Sequence, residues 1–276
     1  MQDYYMPYGE EGWKRKFEMA IPILLLLLVL LALAWKLSWL CGLPGIGQIA
    51  CGGAVTNILV VGNDADITKS LDEMKVGLSI NYEVFDTQDI ANLRDSNYLN
   101  KYDLIILTEK VGSKDSDMPN LFRTYLTSYL ANNGKMIMFG IAGSTDPAEP
   151  SANGWVQAGM SAYVPVTCKT GICNENSKNT VSVGIADLKV KNINHEIVKE
   201  FGTALAIQGT SIEYAMTNTY GGSEILTLEV QISGIQAYPA LVEKSYGMSG
   251  KTLYFAYHPS RTPTIFQNAV KYITGR

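Results

Sequence analysis

After a polar, tyrosine-rich start, the chain is apolar without a break from Met19 to Trp35, and only Lys36 and Ser38 interrupt before Cys41. At a helical rise of about 1.5 Å per residue, Ala20–Leu40 would extend about 31 Å, the thickness of a bilayer's hydrocarbon core. The run is apolar on every face, unlike the one-sided stripe of a core helix. Pro22 falls in the first turn, where its missing N–H costs little. Trp35 and Trp39 suit one interface and Trp13 the other, and Lys36 can snorkel into headgroups. Lys14, Arg15 and Lys16 precede the run, and beyond Lys36 no Lys or Arg follows until Lys69. This asymmetry keeps the N-terminus cytoplasmic and places everything after Cys41 outside. The pattern therefore predicts a cytoplasmic stub over 1–18 and a single-pass transmembrane helix over 19–41 of the cell membrane. A cleaved signal peptide competes, with Lys14–Lys16 as its basic segment and Ala32-Leu33-Ala34 as its cleavage site. The length of the run favours a retained anchor.

A Gly-rich tether follows over 42–56, and then the periodicity changes. Asn57–Val61 is a short apolar run entering a Gly62-Asn63-Asp64 turn, as a buried first strand would. Thr68–Leu78 has helical character, and Tyr82–Phe85 and Leu104–Leu107 are further strands. Asp117 and Pro119 open a helix on which Leu121, Tyr125 and Tyr129 recur at spacing four, Gly134 ends it, and Lys135–Gly140 is a fourth strand. Strand and helix in alternation predict an α/β fold, a flavodoxin-like, doubly wound and mostly parallel sheet over 57–276.

Between about 144 and 179 the pattern breaks. Pro147, Pro150, Gly154 and a Cys168–Cys173 loop mark an insertion. Thr180–Val190, Ile207–Tyr214 and Glu224–Ile232 look extended. Tyr238–Glu243 and Thr252–Tyr257 flank Ser245–Gly250 as a hairpin. A last helix follows, capped by Thr262, begun by Pro263 and stopped by Gly275, with Ile265, Phe266, Ala269, Val270 and Ile273 on one face.

Charge narrows the partners. Four of the 22 Lys/Arg and four of the 26 Asp/Glu precede residue 52, which leaves the domain with 18 basic and 22 acidic residues. With no basic stripe to follow a phosphate backbone, nucleic acid is not an expected partner. Sixteen Tyr against two His suit contact surfaces better than imidazole chemistry.

Cys41, Cys51, Cys168 and Cys173 fall into two local pairs, although four cysteines allow three connectivities. Outside the cytoplasm, disulfides are the expectation. Cys41 could instead carry a lipid at the membrane boundary. Zinc has little support, since Cys168 and Cys173 are loosely spaced and only His195, read as part of a helix start, could add a nitrogen. No cofactor or metal site is expected. Gly250-Lys251-Thr252 mimics the end of a phosphate-binding loop, but Ser245 stands where its first glycine belongs and a strand follows, so it is a hairpin turn. Asp64 and Asp66 occupy the edge where open α/β sheets place function, although carboxylates in a turn are commonly solvated or capping.

The turns after two strands carry a resemblance. Gly140-Ile141-Ala142-Gly143 follows the fourth strand and His258-Pro259-Ser260 follows the last. With the closing hairpin and helix of Pro239–Ile273, the domain resembles the class I glutamine amidotransferase-like superfamily. Active members hold a nucleophilic cysteine in a Gly-x-Cys-x-Gly turn, and a His-Pro-Glu supplies the base and its orienting carboxylate. The resemblance therefore implies a fold with degenerate catalytic positions. Ala142 stands where the cysteine would be, Ser260 where the glutamate would be, and His258 alone is kept. A thiolate activated by an oriented imidazole cannot be built from these residues.

Three functions remain open. The favoured one is a non-catalytic extracytoplasmic domain that binds a protein partner, or its own copy, in an envelope or membrane assembly. The second is a hydrolase with a relocated nucleophile, Ser144 with His258, although no Gly-x-Ser-x-Gly elbow surrounds Ser144. The third is a small-ligand module at the sheet edge near Asp64, Gly140 and His258.

Overall fold

The apolar run that opens the domain becomes a strand buried on both faces. In β1 (Thr56–Val61), Ile58 and Val60 point into one core and Leu59 and Val61 into the other, all without exposed surface. Such a strand survives only when helices cover both sides of its sheet. In a computed structural model, the residues described are 22, 24–30, 55–75, 78–86, 89, 92–95, 97–109, 118–144, 154–155, 159–171 and 173–275. The chain divides into two compact units, Met1–Ala54 and Val55–Arg276.

In the first unit, residues 24–30 are helical with exposed apolar side chains. Among the described residues no helix is long and apolar enough to cross a membrane. Most of the expected span, the tether and the Cys41–Cys51 pair lie outside the described residues.

In the second unit, α1 (Ala65–Lys75) buries Ile67, Ser70, Leu71 and Met74, the i, i+3, i+4, i+7 stripe of an amphipathic helix. It begins three residues earlier than the sequence suggested, because Asp64 caps it. The strands β2 (Ile80–Phe85) and β3 (Leu104–Leu107) flank β1 in parallel. Helix α2 (Asn120–Ala131) leads to β4 (Lys135–Phe139), which pairs in parallel with β3. The buried side of α2 is Phe122, Arg123, Leu126, Tyr129 and Leu130. Of the expected stripe, Tyr129 is buried and Tyr125 half-buried, whereas Leu121 is exposed, so the buried face is centred one position further along.

The middle of the chain departs from alternation. It contributes β5 (Val166–Cys168), β6 (Lys178–Ser182), β7 (Ala186–Val190), β8 (Ala204–Leu205), β9 (Ser211–Ala215) and β10 (Thr217–Thr219). β5 pairs with β10 and β6 with β9, as two small antiparallel sheets. Cys168 and Cys173 form the expected disulfide, with Cα atoms 5.4 Å apart. His195 lies in a turn rather than at a helix start.

The long hairpin β11 (Ser223–Gln231) and β12 (Ile235–Tyr246) returns to the main sheet and continues into β13 (Gly250–Phe255). β13 then pairs in parallel with β4, and the main sheet runs β2-β1-β3-β4-β13-β12-β11-β7-β8. The five strands from β2 to β13 are parallel, whereas β12, β11, β7 and β8 are antiparallel to their neighbours. The expected mostly parallel sheet is therefore mixed. The reason is that hairpin-linked strands pair antiparallel without needing crossover helices. Helix α3 (Pro263–Thr274) buries the five residues read from the sequence, and Gly275 ends it at φ 76°. Helices α1 and α3 share one core with Ile58 and Val60, and α2 lies in the other.

One half-buried carboxylate ties the antiparallel half to α3. Glu243 on β12 meets His195 Nε2 at 2.7 Å, Lys251 Nζ at 2.8 Å and the Tyr272 hydroxyl at 3.0 Å. Burial pushes its carboxyl up, but the hydrogen bonds from His195, Lys251 and Tyr272 and the ammonium's charge outweigh that and hold it at about 2. Because the folded value lies below the ordinary 4.5, its stabilisation is complete above pH 4.5 and fades as pH falls towards 2. In denaturant unfolding at stepped pH, the wild type should lose on the order of 2 kcal/mol across that window. Glu243→Gln should start less stable at neutral pH and show a flatter profile through the same window.

Candidate functional site

Four loops meet outside the carboxyl ends of β1, β3, β4 and β13, the edge at which an open α/β sheet leaves a crevice. After β1, Gly62 turns the chain at φ 98° and delivers Asp64 to the head of α1. Asp64 is 3% exposed, and its Oδ1 accepts the amides of Asp66 and Ile67 at 3.1 and 3.2 Å. An aspartate in this position satisfies orphan N–H groups and complements the helix dipole. Its other oxygen, Oδ2, lies 2.8 Å from His258 Nε2. Asp66 is exposed in the first turn.

The last strand supplies the imidazole. His258 caps a short 3-10 turn, Pro259–Arg261, and its Nδ1 lies 2.7 Å from Ser260 Oγ. The Ser260 amide donates to the same nitrogen at 3.3 Å. An amide can only donate, so Nδ1 holds the lone pair and Nε2 carries the proton that goes to Asp64. Edge-on contact with Phe139, at 6.0 Å between ring centres, holds the ring from the side. The carboxylate that the resemblance finds missing at Ser260 is replaced by Asp64, from the opposite end of the domain. Ser260, read as a lost carboxylate position, orients the ring through its hydroxyl and amide.

The turn after β4 is closed. Ala142 is fully buried, and its carbonyl accepts the Trp155 indole N–H at 3.0 Å. Glu109, two residues beyond β3, places Oε1 2.9 Å from the Ile141 amide. Gly140 makes room for it: a Cβ at that position, already at φ +50°, would lie 1.8 Å from the same oxygen. Glu109 Oε2 meets Lys178 Nζ at 3.1 Å, and Lys178 also reaches Glu213 at 3.4 Å and Glu175 at 3.6 Å. Ser144 is fully buried with its hydroxyl unpartnered, while both nitrogens of His258 are engaged by Asp64 and Ser260. The structure therefore does not pair Ser144 with His258.

Together with β6 and β9, these loops line a cleft of about 310 Å³ whose wall includes Glu109, Lys178, Glu213, Tyr257, His258 and Arg261. Burial raises the Tyr257 hydroxyl well above its ordinary range, and it bonds to Thr262 Oγ1 at 2.9 Å. Ligand atoms of Asp64, Asp66 and His258 come within 4.8 Å of one another. A metal there would have to displace the Nε2 proton and the Asp64 cap, at the positive end of a helix, so these donors suit a hydrogen-bonded cluster better than a metal. Cys168 and Cys173 are consumed by their disulfide and His195 by Glu243, so none of the three can serve zinc.

Sequence reasoning located Asp64, Gly140, Ala142, His258 and Ser260 at this edge. It missed Glu109, Lys178, Glu213 and Arg261. Glu109 was within reach of the rule that residues just past parallel strands line the crevice. The other three come from the irregular middle and the final turn, and no spacing in the sequence announces them.

No family model matches the chain, and no curated protein sequence does. Among solved structures it is similar to cytoplasmic protein STM1381 from Salmonella typhimurium LT2, with TM-score 0.55 and 14% identity over 79% of this chain and 99% of that one. Cytoplasmic protein STM3548 from Salmonella typhimurium gives TM-score 0.50 and 14% identity over 79% and 98%. A ThuA-like protein from Bacteroides uniformis gives TM-score 0.50 and 13% identity over 79% and 89%. At such identities the likeness concerns the fold, a mixed sheet with helices in an α/β domain.

The double role of Asp64 has a measurable consequence. Asp64→Ala removes the helix cap and the partner of Nε2 together, and should lower stability by about 2–3 kcal/mol. Ser260→Ala leaves the amide on Nδ1 and should cost less than about 1 kcal/mol. Chemical denaturation of the two variants checks the order.

Proposed function

We propose that the chain is a membrane-anchored, extracytoplasmic and non-catalytic domain of class I glutamine amidotransferase-like ancestry, which binds a protein partner or its own copy within an envelope assembly. The closed turn after β4 carries this reading. Ala142 offers no nucleophile, and the Glu109 carboxylate sits against the turn itself, on the Ile141 amide beside Ala142. Lys178 neutralises that carboxylate and keeps it seated. The anchor rests on the Ala20–Leu40 run and on the basic residues before it, which favour a cytoplasmic N-terminus.

A second reading draws on the hydroxyl–imidazole–carboxylate chain of Ser260, His258 and Asp64, with links of 2.7 and 2.8 Å. It would make Ser260, not Ser144, the relocated nucleophile of a hydrolase. The imidazole's free lone pair is shared with the Ser260 amide, as a local cap would share it, and this favours the structural role.

Treatment of the full chain with a fluorophosphonate probe, followed by peptide mass spectrometry, separates the two. The non-catalytic reading expects no adduct at Ser260 or Ser144. An adduct at either serine that disappears in His258→Gln would overturn it. For the anchor, protease added to intact cells should cut the domain after Cys41 and spare residues 1–18, and protection of the domain would reverse the orientation.

A further inference from the structure

Among the charges that line the cleft at the carboxyl edge, most are answered from within. Lys178 lies within 4 Å of Glu109, Glu175 and Glu213, and its side chain is 7% exposed. His258 is held on both nitrogens. Arg261 differs. Its guanidinium makes one long bond among the described residues, from Nη1 to the Gln208 carbonyl at 3.4 Å, and the residue is half-buried.

The fold nonetheless fixes where that guanidinium sits. The Arg261 amide donates to the His258 carbonyl at 3.0 Å, and its own carbonyl accepts the Gln208 amide at 2.9 Å. The side chain then lies over Gly209, at φ +95°, where a Cβ would come within 2.2 Å of Nη1. A cation with its backbone held at both ends and a glycine cleared beneath it is prepared for a ligand at little ordering cost.

The surroundings define the ligand. The remaining donors of a guanidinium form a planar fork that matches a carboxylate in two parallel hydrogen bonds. Ala215, Ala256 and Tyr257 give the cleft an apolar floor beside the fork. Among the described residues, Lys178 alone answers Glu109, Glu213 and Glu175, and the acidic excess that remains in this lining opposes a second negative charge. A volume of about 310 Å³ is at the small end of sites for organic ligands. We infer that this cleft binds a small organic monoanion, a carboxylate with an apolar body, through Arg261. The inference goes beyond the non-catalytic reading and does not depend on it, since a carboxylate docked on Arg261 neither requires nor excludes a nucleophile.

Benzoate is a suitable probe, with benzamide as its neutral counterpart and inorganic phosphate as an anion without an apolar body. Titration calorimetry on the full chain in a non-ionic detergent should show saturable 1:1 binding of benzoate, with benzamide and phosphate weaker by about tenfold or more. Arg261→Gln should weaken benzoate by about tenfold or more, and Arg261→Lys, which keeps the charge but loses the fork, by less. A thermal melt of each variant within a few degrees of wild type would show that the fold is intact. Absence of saturable benzoate binding to the wild type would overturn the inference. So would an affinity unchanged in a folded Arg261→Gln, or phosphate binding as tightly as benzoate.

Discussion

The parallel pairing of β13 with β4 is the constraint on which the rest of the domain depends. It joins residues 135–139 to residues 251–255, so the chain must cross its entire irregular middle before the sheet can close. Once β13 is seated, its hairpin partner β12 is fixed antiparallel beside it, then β11, and through β11 the short strands β7 and β8. The bond from the Gly140 amide to the Phe255 carbonyl, 2.8 Å, continues the pairing past the strands and locks the two turns that define the crevice. Loop-closure entropy makes such a pairing unfavourable by itself. It persists because both of its faces are apolar: Ile137, Phe139, Leu253 and Phe255 fall in one core, and Met136, Met138 and Tyr254 in the other.

At the sheet's carboxyl edge, the polar groups are largely satisfied by one another. Asp64 is at once helix cap and partner of His258, and Glu109 is at once partner of a turn amide and of Lys178. In a partly desolvated crevice this arrangement avoids the large penalty of unpaired charge. At the turn after β4 the same satisfaction places Glu109 on the Ile141 amide, next to Ala142. Arg261 stands apart, fixed by the backbone and, among the described residues, with one long side-chain bond, to the Gln208 carbonyl.

The Glu243 cluster does comparable work on the other half of the sheet. It draws β12, β13, α3 and the turn bearing His195 onto one carboxylate. Both histidines of the chain are therefore placed against carboxylates from distant segments, Asp64 for His258 and Glu243 for His195.

By itself, the sequence determined those features that arise from local patterning. The apolar run of β1, the hairpin formed by the last two strands, α3 with its Pro263 start and Gly275 stop, and the six-residue cysteine ring all follow from periodicity, backbone preference and short reach. The capping role of Asp64 was also open to local reasoning, as one of two readings for a carboxylate in a turn. The placement of β13, the change from parallel to antiparallel across it, and the one-position shift of the buried stripe on α2 depended on which surfaces met. So did the partners of both histidines, the seating of Glu109 over Gly140 and of Arg261 over Gly209. Hydrogen bonds and ion pairs act over a few ångströms, and the residues that make them here are separated by up to 194 positions. No local pattern can encode such a meeting, and only the closed sheet brings those groups within reach of one another.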